Sequence, residues 1–181
     1  MDSIRGQLLI AGPALLDPNF RRTVVLVVEH NDDGALGLVL NRPSDTSVRE
    51  AVPELEQLVN LDDSLFIGGP VQPSAVIILA QFEDATDAAL IAFEDVGVLA
   101  TGPAPDDPIA GVRRGRAFVG HSGWGPGQLD SELQRGDWIL EPARREDAFS
   151  TSPPDLWPNV LKRKGGSYAL VARMPPDPSL N

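Results

Sequence analysis

The sequence has no cysteine, only two histidines, His30 and His121, and a single tyrosine. The missing thiols exclude disulfides, thiolate nucleophiles and Cys-based zinc or iron–sulfur centres together, and they suit a reducing compartment. Basic residues are also scarce: 15 Lys and Arg stand against 26 Asp and Glu, a net charge of −11. A protein built to grip phosphate backbones, or an anionic membrane surface, needs the opposite balance. Long apolar runs are absent. Runs such as Val24–Val28 fall far short of a bilayer span. The stretch from Leu8 to Ala11 is too short for the apolar region of a signal peptide. A cytoplasmic protein is therefore expected.

What is there suits one globular domain. A chain of 181 residues with 42% apolar content can bury a real core. We expect the domain to span residues 1–174, followed by a disordered tail at 175–181. Gln7–Ala11 reads as a first strand stopped by Gly12 and Pro13. Thr23–Glu29 is β-branched and apolar almost throughout, the pattern of a central strand buried on both faces. Asp33-Gly34 between two apolar runs marks a hairpin, with Leu36–Leu40 returning antiparallel. Asn41-Arg42-Pro43 then breaks the strand. Ser47 and Glu50 have capping-box spacing ahead of the stripe Val48, Val52, Leu55 and Leu58, and Pro53 divides that stripe into two short helical pieces. Leu65–Ile67, Val76–Gln81 and Leu90–Phe93 read as further strands.

Thr101–Gly127 holds 7 Gly and 4 Pro in 27 residues, so it reads as loop interrupted by a short strand at Ala117–Val119. Gln128–Gln134 reads as a helix stopped by Gly136, and Trp138–Leu140 as a strand. Ala143–Phe149 and Pro154–Lys164 read as surface helices, and Tyr168–Ala172 as a last strand. The fold class is α/β of the α+β kind: a mixed, mostly antiparallel sheet flanked by helices.

The densest place for chemistry is Gly120–Gln128, between a strand and a helix. It is not a nucleophile elbow, because Trp124 stands where glycine is required two residues after Ser122. It is not a dinucleotide fingerprint, because Gln128 and Asp130 occupy the third-glycine positions, and it has no P-loop lysine. A backbone concavity for an anion, contacted by His121, Ser122, Trp124 and Gln128, stays open beside a plain chain reversal covered by Trp124. Gly68-Gly69-Pro70 and Asn41-Arg42-Pro43 are two more strand-end turns of this kind. The ligand-binding candidates are thus Asn41, Arg42, Gly68, Gly69, His121, Ser122, Trp124 and Gln128. No catalytic residue and no metal ligand set is expected, and His30, beside the hairpin turn, is expected in solvent. Arg113, Arg114 and Arg116 form a small basic cluster.

Several strings occur in an order that resembles the YqgE/AlgH family of bacterial proteins. They are Gly6–Ala11, Asp17–Val25, Gly34–Pro43, Phe66–Val71 and Gly120–Asp130, followed by Trp138. The resemblance spans about residues 6–160. It implies a cytosolic bacterial protein with an antiparallel sheet and flanking helices, and it implies no particular reaction. The family's label as a transcriptional regulator finds no helix-turn-helix pattern here. The chain departs from the family pattern at His121, where tyrosine is frequent, and at Ala80, where histidine is frequent.

The residues and the resemblance together lead to a non-catalytic regulatory or protein-interaction protein. The alternative is a site for a small anion, a nucleotide or phosphoester, at the glycine-rich turns. The expected partners are proteins. Direct DNA binding and membrane docking are not expected, no cofactor is implied, and the sequence fixes no oligomeric state.

Overall fold

The computed structural model describes residues 2–99 and 111–176. Its centre is the strand the sequence marks most strongly. β2 (Val24–Asn31) buries Val24 to Val28 completely. It pairs antiparallel with β1 (Gln7–Ala11) on one edge and with β3 (Gly34–Val39) on the other. The β2–β3 turn is closed by the Asn31 side chain, whose Oδ1 accepts from Asp33 N at 2.8 Å. Beyond β1 the sheet continues to β10 (Trp138–Pro142).

On the other side the sheet is organised by β9 (Val112–Trp124). Its last residues pair with β3, its centre runs parallel to β5 (Ser64–Ile67), and its opposite edge pairs with β6 (Val71–Phe82). β8 (Val96–Val98) and β7 (Leu90–Phe93) complete that wing, and β4 (Pro43–Ser47) lies beside β5. One strand thus serves both halves of a mostly antiparallel sheet of ten strands among the described residues.

The helices are short. α1 (Val48–Ala51) starts at Ser47, whose hydroxyl accepts from Glu50 N, and a 3-10 turn at Pro53–Leu55 follows, the expected break at Pro53. α2 (Gln128–Arg135) ends at Gly136 in the left-handed region, as expected. α3 is Arg145–Ala148, α4 Leu156–Lys164 and α5 Ser167–Val171. None is long and apolar enough to cross a membrane.

Four expectations are corrected. Residues 112–124 form one long strand, not a loop with a short strand inside. The segment 101–110 lies outside the described residues, as does 177–181 of the expected tail. Tyr168–Ala172 is helical, because Gly165 and Gly166 both take positive φ and turn the chain back against α4. α4 is not a surface helix: Leu156, Trp157, Val160 and Leu161 enter the main core. His30 is not solvated. It is 9% exposed, its Nδ1 accepts from Ile4 N at 3.2 Å, and its Nε2 lies 3.1 Å from Asp130 Oδ1, off the line of a good hydrogen bond.

The largest core cluster draws on β1, β2, β3, β6, β8, β9 and α4. A second lies under Trp124, Trp138 and Leu129, and a third under α1 and its 3-10 turn. α4 is fastened to α3 by a buried ion pair. The Arg163 Nη atoms donate to both Asp147 carboxylate oxygens at 2.8 and 2.9 Å, and Arg144 N donates to the same carboxylate at 2.8 Å.

Candidate functional site

The eight candidates fall into three groups. Gly68, Gly69, His121 and Ser122 meet. The Gly68 carbonyl accepts from the Ser122 hydroxyl at 3.1 Å and from Val39 N at 2.9 Å, and Gly68 N donates to Val119 O. Gly69 lies against the His121–Ser122 peptide so closely that a Cβ would strike it. Ser122 is fully buried with its hydroxyl spent on that carbonyl. His121, its neighbour on the strand, projects to the other face, so the two form no nucleophile–base pair. Burial holds the His121 imidazole below its ordinary pKa.

Asn41 and Arg42 act elsewhere, as clamps on the segment entering β2. Asn41 accepts from Val24 N at 3.0 Å and donates to Arg22 O at 2.9 Å. The Arg42 guanidinium donates to the carbonyls of Pro18, Asn19 and Arg21 at 2.9–3.0 Å. Burial lowers its pKa, partly opposed by Asp17. Trp124 and Gln128 belong to the start of α2. The Trp124 indole N–H donates to Glu132, and Gln128 Oε1 accepts from Gly125 N at 3.0 Å. The glycine-rich turns therefore do converge, at Gly68 and Gly69, but through backbone packing.

Two cavities have none of these residues in their walls. The first is an open groove of about 430 Å³ along the start of β9, lined by Arg113, Arg114 and Arg116 together with Phe149, Glu56 and Asp63. Arg114 stacks 4.5 Å over the Phe149 ring and its Nε donates to Gln81 at 2.9 Å. Arg116 stacks 4.5 Å over Phe66 and donates to the Ser150 carbonyl. Among the described residues none of the three is in an ion pair. Burial lowers the pKa of Arg116, with Asp63 acting in the opposite sense. The Arg-x-Arg spacing was visible in the sequence; reading residues 112–116 as loop hid its consequence, that 114 and 116 share one face of a strand. The second cavity, of about 310 Å³, is bounded by the segment after β1, Arg21, Arg22, Trp157 and the segment after α5. Nothing in the sequence singled it out, because its walls come from three distant stretches. Among the described residues no cluster of His, Asp and Glu is placed to hold a metal ion.

Fold and site together define a single-domain α+β protein whose long shared strand joins two halves of one sheet, with arginine-lined depressions on its surface. A family model described as AlgH-like matches residues 8–169, and the chain belongs to that family. It is 40% identical over 181 residues to a UPF0301 protein of Rhodococcus jostii, covering 97% of this chain and 90% of the relative. It is 39% identical over 191 residues to a UPF0301 protein of Thermobifida fusca, covering 99% and 96%. The fold matches the crystal structure of DIP2367 from Corynebacterium diphtheriae with a TM-score of 0.83 at 28% identity, over 96% of this chain and 94% of that one. It also matches the solution structure of AlgH from Pseudomonas aeruginosa with a TM-score of 0.72 at 27% identity, over 96% and 95%. None of these names states a reaction.

Proposed function

We propose that the protein is a non-catalytic cytosolic interaction protein, and that the groove along the start of β9 receives an acidic segment of a protein partner. The observation that carries this reading is the set Arg113, Arg114 and Arg116, three arginines lining one groove without an ion pair among the described residues. Guanidinium forks pair with carboxylates through two parallel hydrogen bonds. Phe149 and Phe66 stack beneath two of them and limit the ordering cost of binding. In a chain of net charge −11, a local basic groove also selects: an acidic segment is attracted there and repelled elsewhere.

The test is anisotropy of a fluorescent hexaglutamate peptide at low salt, with ATP and inorganic phosphate as competitors. Binding is expected to weaken as salt rises and to be lost in Arg113→Glu, which leaves Arg114 and Arg116 on their aromatic rings. A second reading is a small-anion site at the turn where Gly68, Gly69, His121 and Ser122 meet. It draws support from the meeting of Gly68 and Gly69 with His121 and Ser122. Binding of ATP without the peptide, abolished by His121→Ala but not by Arg113→Glu, would favour it. Silence in both assays would remove both readings.

A further inference from the structure

The second cavity shares no residue with the groove. At about 310 Å³ it sits at the small end of ligand pockets. Its lining is chemically simple. Apart from Arg21 and Arg22, every lining side chain is apolar. The one further polar side-chain group, the Trp157 indole N–H, is occupied by Ala11 O at 2.9 Å. Leu16 and Met174 line the cavity while keeping 54% and 46% of their surface in solvent. Apart from the two arginines, such walls offer contact to an aliphatic chain and no free side-chain hydrogen bond.

The two arginines are delivered by backbone geometry that the rest of the fold enforces. Arg22 has φ 55°, a left-handed conformation that costs a non-glycine residue on the order of 1 kcal/mol. Asn41 holds it there by bridging Arg22 O and Val24 N. The result is a guanidinium stacked 4.0 Å over the Trp157 ring, with Nη1 donating to Met174 O at 2.9 Å. That uses one of its five donors. Arg21, beside it, also lines the cavity, and its carbonyl is fixed by Arg42. Among the described residues neither guanidinium is in an ion pair. The two neighbouring cations repel each other, burial strips Arg22 of part of its water, and both penalties are relieved by one anion. The lowered pKa of Arg22, from burial and then from Arg21, is in keeping with this.

We propose that this cavity binds a small amphipathic carboxylate, its head between Arg21 and Arg22 and its aliphatic chain against Leu15, Leu16, Trp157 and Met174. A planar carboxylate matches the guanidinium fork, and the aliphatic chain lies against the apolar walls.

Octanoate serves as the probe in calorimetric titration of the full chain, with acetate and octanol as controls for head and chain. Octanoate is expected to bind at least about tenfold more tightly than either control. Arg21→Gln and Arg22→Gln should each weaken it about tenfold. Arg22→Gln also frees Met174 O, so Leu16→Asp, at a half-exposed position, provides a variant that leaves the fold intact and should weaken octanoate as well. An 8-bromo derivative should quench tryptophan emission, and Trp157→Phe should remove most of that quenching. Equal binding of octanoate and octanol, unchanged affinity in both arginine variants, or no binding heat would overturn the proposal. Tighter binding of octyl phosphate than of octanoate would overturn the carboxylate assignment.

Discussion

At the scale of single residues, His121 shows how position on a strand sets chemistry. It follows the buried Gly120 and precedes the buried Ser122, so its ring is half withdrawn from water. Burial disfavours the imidazolium, and the folded-state pKa lies below the ordinary 6.5. Between that folded value and 6.5 the unfolded chain binds more protons than the native one, so stability rises with pH across the window. The contribution is complete above about 6.5 and is lost as pH falls through the folded value. Urea unfolding of the wild type and of His121→Gln at pH 7.5 and pH 5 reads this directly. The wild type is expected to lose more stability on acidification than the variant. Equal losses would mean that the burial of this ring has no energetic weight.

At the scale of elements, glycines that look alike in the sequence do different jobs. Gly136 caps α2 with φ 81°, and a Cβ there meets nothing within 4 Å. Gly69 sits where β6 begins, and a Cβ there meets the His121–Ser122 peptide of β9. Gly136→Ala is therefore expected to cost about 1 kcal/mol, the conformational penalty alone. Gly69→Ala must push two strands apart and is expected to cost about 3 kcal/mol or more. Denaturant midpoints of the two variants at equal m-value check the ordering, and equal costs would show that the strands part easily there. The same distinction explains what the sequence disclosed. Local signals succeeded: β1, the β2–β3 hairpin, the break at Pro53 and the caps at Ser47 and Gly136 depend on neighbours in the chain. The expectation for residues 112–124 failed because glycine content was read as turn chemistry. Gly115 and Gly120 are glycine because Leu58 O and Gly69 O, distant in sequence, approach their Cα atoms. Tyr168–Ala172 failed because a five-residue apolar run has no period of its own, and the reversal at Gly165–Gly166 decides it. The candidate site divided likewise. The Arg113–Arg116 cluster was legible as composition. The cavity between Arg22 and Trp157 was not, since 135 positions separate residues that stack on each other.

At the scale of the whole molecule, the question is whether the two halves joined by β9 unfold together. A sheet with a shared strand could part at that strand if each half had its own core. The core argues otherwise. The main cluster takes Val24, Leu26 and Val28 from β2, Leu79 from β6, Val96 and Val98 from β8 and Phe118 from β9 itself. The far wing also folds back on the near one: a Cβ at Gly6 would touch Ala92 O and the Phe93 side chain of β7. Arg145 of α3, which follows β10, pairs with Asp95 at 2.7 Å and with Glu94 at 3.0 Å in the β7–β8 turn. Opening either half would expose apolar surface belonging to the other, so the cost falls on both. Native-state hydrogen exchange resolves this residue by residue. The slowest amides of β2 and those of β6, at Ile78 to Ala80, are expected to open with the same free energy. That value should equal the free energy of global unfolding measured by tryptophan emission, which reports Trp124 and Trp138 in the cluster beneath α2 and Trp157 in the main core. If β6 opened at a distinctly lower free energy than β2, β9 would be a seam between two cooperative units, and the continuity of the main cluster would not be what holds them together.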